Sequence, residues 1–187
     1  MTRSTNARIA GITFLVYIAA GLTSLNVGSA GADGSAVKLA HIVLELLCNF
    51  SALVLAVTLY AITREVDRDV AMLAMMCRVG EGVVGAVSGS MLVPATFFAV
   101  GSTLFAYLLL RGRSIPVRLA WLGLIASVLL VAGLPLQQAG VLGGLVTRLM
   151  YVPMLVFELV LGSWLIFNGV AVRGDAMSAA GSEQERR

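Results

Sequence analysis

Charge is scarce in this sequence. Asp, Glu, Lys and Arg make up 12% of its 187 residues, where a soluble domain carries about 25%. The few charges are bunched between apolar runs instead of being spread along amphipathic faces. An ordinary soluble domain is thereby excluded. Histidine occurs once, at position 41, so no His pair exists to hold a metal or a haem. There is no His-Glu-x-x-His and no Cys-x-x-Cys, the spacings that mark zinc and dithiol sites. No aspartate falls inside an apolar run, which removes the intramembrane aspartyl-protease arrangement. With a single His, a Ser-His couple lacks support. Cys48 and Cys77 both lie inside apolar segments. On antiparallel neighbours they would sit about 9 Å apart in depth at about 1.5 Å rise per residue, beyond disulfide reach. They read as small packing residues. No cofactor and no metal is implied, and the balance leans away from an enzyme.

Apolar residues are what the chain has, at 59% with a mean hydropathy of +0.95. They form unbroken runs near the roughly 20 residues that a helical span needs, not the ten-residue alternation of a β-barrel. The fold class is all-α, a polytopic membrane protein with a six-transmembrane-helix bundle in residues 1–172. The predicted spans are Ile9–Val27, Leu39–Ile62, Val70–Ser90, Leu92–Leu110, Val117–Leu136 and Thr147–Val172. The Gly/Ser/Ala-rich stretch from Gly28 to Ser35, the charged Arg64–Asp69 and the basic Arg111–Pro116 separate them. Only the Gly89–Pro94 neighbourhood divides the third span from the fourth, and one long bent helix is the alternative there. Residues 173–187 are small and polar, and are expected to be a disordered tail. The start of the chain also has the form of a signal peptide, with Arg3 and Arg8 before the apolar stretch and small residues after it. The stretch is long for a signal, and five further spans need packing partners, so it reads as the first span.

The net charge is +3, yet its distribution points to a bilayer and not to nucleic acid. Arg3, Arg8, Arg64, Arg68, Arg111, Arg113, Arg118, Arg173, Arg186 and Arg187 all fall on one side of the expected topology. The other side holds Lys38 and, at the interface, Arg148. The positive-inside rule then places both termini in the cytoplasm, in the cell (inner) membrane. Arg111, Arg113 and Arg118 are expected to meet anionic lipid headgroups, at about 1 kcal/mol each.

Three ionisable residues, Arg78, Glu81 and Glu158, fall near the midpoints of their spans. A charge there costs at least about 2.5–3.5 kcal/mol, so it persists when paired, hydrated or used. On the second span His41, Glu45 and Asn49 share a face at i, i+4, i+8. On the sixth, Arg148, Tyr151 and Glu158 share one with the apolar Leu155 between them, at spacings of three and four. These eight polar residues form the candidate ligand-binding or ion-pair cluster, with the third helix central and set against the second and sixth. The Gly85–Gly89 pair would let another helix approach. Counting Arg78 and Arg148 against Glu45, Glu81 and Glu158 leaves one excess negative charge. One carboxylate, Glu45 or Glu158, is therefore expected to be protonated. The polar residues thin out toward the cytoplasmic side, which favours an outward-open pocket over a continuous pore. An ion-pair lock that merely holds helices in register is the other reading of the same cluster.

Short motifs add a resemblance. Arg8-Ile9-Ala10-Gly11, Arg78-x-x-Glu81 after Leu73-Ala74, Gly101 through Tyr107 to Ser114-Ile115-Pro116, and Phe157-Glu158-Leu159 with Gly162-x-Trp164-Leu165 are similar to the domain of unknown function 4386 family of small bacterial membrane proteins. The resemblance implies six spans and no established activity. It also implies a longer stretch between the third and fourth spans than Gly89–Pro94 provides, and it does not account for His41 or Glu45. The expected function is small-solute or proton-linked binding and transport, in a homo-oligomer because six spans are few for a transporter alone. A non-catalytic subunit partnered by another membrane protein is the alternative, and an intramembrane enzyme comes third.

Overall fold

A computed structural model describes residues 2–29, 34–88 and 90–170, and those residues contain helix and turn but no strand. The helices are α1 (Arg3–Ser29), α2 (Ser35–Thr63), α3 (Arg68–Val87), α4 (Leu92–Arg111), α5 (Val117–Gln138), α6 (Gly144–Leu149) and α7 (Val152–Phe167). With α6 and α7 taken together, six are long and apolar enough to cross a membrane. The tail predicted at 173–187 and residues 30–33 of the first linker lie outside the described residues.

Helix ends follow hydrogen bonding, and apolarity follows what a bilayer can hold, so the two disagree at several boundaries. α1 starts at Arg3, ahead of the apolar run, because Thr2 caps it: its hydroxyl accepts from the amide of Thr5 at 3.2 Å and its carbonyl from Asn6 at 3.0 Å. Asp67 caps α3 by accepting from the amide of Val70, and Asp69 adds a favourable charge to the first turn. α3 and α4 are separate helices, parted where Ser88 turns extended. The sixth span is two pieces. Pro153 brings no N–H to the ladder, and the chain breaks at Met150 and Tyr151 before α7 begins.

The helices close into a ring. Chain neighbours pack on each other from α1 to α5, α7 packs on α5, and α7 also packs on α1. The third helix is therefore not central. It sits between α2 and α4, and α7 stands across the ring between α1 and α5. Closure depends on glycine: a Cβ on Gly11 would lie 2.5 Å from the carbonyl oxygen of Gly162, so α1 and α7 touch backbone to backbone. On the α2–α3 seam Gly82 and Gly85 meet Asn49, and Gly89 lies outside the described residues. The interior is filled by Leu55, Ile62, Leu108, Leu130, Leu134, Leu161 and Leu165, while large apolar side chains such as Ile12, Phe50, Met76, Ile125 and Phe167 face outward. An apolar exterior around the whole ring fits hydrocarbon as the surrounding solvent.

Candidate functional site: a buried arginine and two carboxylates

Arg78 is the largest fully buried side chain among the described residues, 1% exposed, and Glu81 and Glu158 are 6% and 4% exposed. Arg78 and Glu81 come from one face of α3, one turn apart. Nη1 of Arg78 lies 2.8 Å from Oε2 of Glu81, an ion pair in which the N–H is not aligned for a hydrogen bond. The other carboxylate oxygen, Oε1, accepts a 2.7 Å hydrogen bond from the Tyr17 hydroxyl of α1. Two rings flank the guanidinium, Phe98 with its centroid 4.9 Å from Cζ and Tyr17 at 5.6 Å, where cation–π attraction offsets part of the lost hydration.

Glu158 enters from α7, across the ring. Arg78 and Glu158 both line one small cavity with Ser102, Phe14, Leu59, Phe105 and Leu161, and the space in it for water centres is about 10 Å³. That is the room of about one water. No protein group among the described residues hydrogen-bonds Nε, Nη1 or Nη2 of Arg78, or Oε1 of Glu158. A guanidinium has five N–H donors in a fixed fork. Buried donors and acceptors left this way each cost about 1–3 kcal/mol, so the arrangement is expensive as it stands.

The eight candidate residues separate into groups. Arg78, Glu81 and Glu158 meet in the core. His41 and Glu45 lie on the outer surface of α2, with side chains 34% and 53% exposed and 3.7 Å apart. Glu45 is one turn, or about 6 Å, beyond Asn49, level with the end of α3. Asn49 fills the α2–α3 seam. Tyr151 sits half-buried at the helix break, its hydroxyl 3.5 Å from Oε1 of Gln137, and Arg148 is exposed. Of the candidate lipid-binding residues, Arg113 and Arg118 are exposed, while Arg111 forms an ion pair with Asp67 at 3.2 Å. Charges of the Arg64–Asp69 turn thus reach other elements instead of each other: Glu65 pairs with Arg3 at 2.9 Å. The described His, Cys, Asp and Glu residues include no group of three placed to hold a metal.

Sequence reasoning passed over Tyr17, Phe98 and Ser102. Tyr17 carried a signal, a hydroxyl in the middle of an apolar run, as did the Gly101-Ser102-Thr103 run of the fourth span. Neither signal says which helix the side chain will meet.

Residues 88–169 match the family described as Domain of unknown function (DUF4386). The match is a likeness of that stretch to the family. It covers α4 to α7, a little under half of the chain, and includes the Gly101–Tyr107, Ser114–Pro116, Phe157–Leu159 and Gly162–Leu165 motifs. In DUF4386 terms, Ser102 and Glu158 lie within the matched region and Arg78 and Glu81 precede it. No curated protein and no solved structure matches the chain.

Proposed function

We propose that this chain is a multi-pass cell-membrane protein that binds and passes a small solute or a proton, with the cavity between Arg78 and Glu158 as its site. One observation carries the reading. A guanidinium and a carboxylate from opposite helices line the same small cavity, and among the described residues no protein group hydrogen-bonds Nε or Nη2 of Arg78 or Oε1 of Glu158. A device for packing alone would gain by satisfying those atoms, or by replacing them with apolar residues of similar volume. The break at Met150–Tyr151, in the span that carries Glu158, supports access from the end opposite the N-terminus, since interrupted spans are where transport sites are commonly built.

Basic residues at the end where α1 starts, including Arg3, Arg8, Arg64, Arg68, Arg113 and Arg118, support a cytoplasmic placement of both termini in an inner membrane. Arg113 and Arg118 are free to meet anionic headgroups there. Six spans are few for a transporter alone, which supports a homo-oligomer.

A second reading is favoured by the Tyr17–Glu81–Arg78 chain, which joins α1 to α3: the cluster is a lock that specifies packing in a non-catalytic subunit. Arg78→Ala and Glu158→Gln separate the two. Normal folded yield with loss of solute- or proton-dependent stabilisation supports a site. Loss of yield in both, restored in the double variant, supports the lock.

A further inference from the structure

We propose that this site takes a proton, carried on Glu158, together with one water molecule held between Glu158, Arg78 and Ser102, and that it takes no organic solute. The inference deepens the binding reading and rests on it.

Size comes first. Space for about 10 Å³ of water centres holds one water and no carbon skeleton. Most of the lining is apolar, and the three polar side chains that border it, Arg78, Ser102 and Glu158, match that occupant. The unpartnered Arg78 N–H groups donate, Oε1 of Glu158 accepts, and the Ser102 hydroxyl can do either, while Phe14, Leu59 and Phe105 close the remaining wall.

Charge selects the ligand's sign. With both carboxylates ionised, Arg78 leaves one negative charge uncompensated. An anion would enter against that charge, and a metal ion would face a guanidinium that cannot give up its proton. A proton meets neither obstacle. It forms an O–H bond on the Glu158 carboxylate, supplied from bulk water through the bound molecule, and leaves the Arg78–Glu81 pair neutral overall. Release runs the same step backwards, with no redox partner and no leaving group.

Position selects Glu158 over Glu81. Glu81 has an ion pair and the Tyr17 hydroxyl to hold its charge, whereas Oε1 of Glu158 has neither. The titratable groups that bear on Glu158 are Arg78 and Glu81 from α3 and Tyr17 from α1. The cavity's linings from α2 and α4 are Leu59 and the Ser102–Leu109 face, none of them titratable, and α5 contributes no lining residue.

Infrared spectroscopy of the full chain in lipid nanodiscs tests this. A protonated-carboxyl band should grow as pH falls, disappear in Glu158→Gln, persist in Glu81→Gln and shift in Ser102→Val, where a methyl takes the water's place. A band that survives Glu158→Gln, or that ignores Ser102→Val, overturns the proposal. If Glu158→Gln does not fold, the unmodified chain with carbon-13 glutamate replaces it: the isotope-shifted band must still move in Ser102→Val, and a fixed band is refutation. Proton uptake into vesicles of phosphatidylethanolamine and phosphatidylglycerol separates this inference from the reading beneath it. Titration of Glu158 without uptake supports the proton site and removes transport. Stabilisation by an organic solute without any Glu158 titration keeps the binding reading and overturns the proton.

Discussion

Removing the Arg78 charge should unbalance the bundle interior more than removing either acid, and the size of the effect can be worked from the geometry. Arg78→Met keeps an unbranched apolar stem and deletes the guanidinium. The Arg78–Glu81 contact of 2.8 Å corresponds to charge centres about 4 Å apart, worth about 4 kcal/mol at an effective dielectric of about 20. Breaking a buried pair from one side costs about 3–5 kcal/mol, because the remaining charge stays buried. With Glu158 deprotonated, Arg78 faces two carboxylates, so its loss strands both, whereas Glu81→Gln leaves Glu158 still facing the guanidinium. Arg78→Met should therefore lie at the upper end of that range, a large share of the about 5–15 kcal/mol that holds a typical domain together. Glu81→Gln should cost less. The double variant should cost less than the sum of the singles, with a coupling of about 3 kcal/mol. Unfolding in mixed micelles, followed by the fluorescence of Trp121 and Trp164, measures all three. Effects that add within about 0.5 kcal/mol would mean the two side chains do not interact, and the electrostatic account of the core would fall.

Three other outcomes follow from single contacts. Tyr17→Phe takes the 2.7 Å donor from Glu81 and should cost about 1–3 kcal/mol; an unchanged unfolding midpoint would place the hydroxyl elsewhere. Gly11→Val should push α1 off α7, since even a Cβ there would lie 2.5 Å from the Gly162 carbonyl oxygen, at a cost of about 1–3 kcal/mol or more. Gly143→Ala, where a Cβ meets nothing within 4 Å, serves as its control, and equal folded yields on size exclusion would contradict the close approach. Arg113 closes α4 with φ of 48° in a Schellman turn, its amide bonded to Leu110 and that of Ser114 to Leu109, a position glycine occupies without strain. Arg113→Gly should stabilise the chain by on the order of 1 kcal/mol, and a lower midpoint would refute that.

Much of the architecture was legible in one dimension. Runs near 20 apolar residues require helices wherever water is absent, because each backbone polar group must then bond within its own segment. Six such runs, the breaks at Asp67 and Pro116, and ionisable residues stranded in the third and sixth spans all follow from composition and spacing. The boundaries were less legible, since Thr2 and Pro153 set helix ends through hydrogen bonds that hydropathy does not register. The extended cluster was the least legible part. Spacing of three and four puts His41 and Glu45 on one face of α2, but says nothing about which way that face turns, and it turns outward.

The sequence alone determined that an arginine and two glutamates would have to be accommodated in an apolar interior, because local periodicity and the cost of a bare charge are properties of each segment. Only the tertiary structure decided who accommodates them. Closing the ring at Gly11 and Gly162 set α7 opposite α3, so that a long arginine side chain faces Glu158 across the core while Tyr17 serves Glu81. Partner choice of this kind depends on backbone approach between residues far apart in the chain, and periodicity along a single helix carries no record of it.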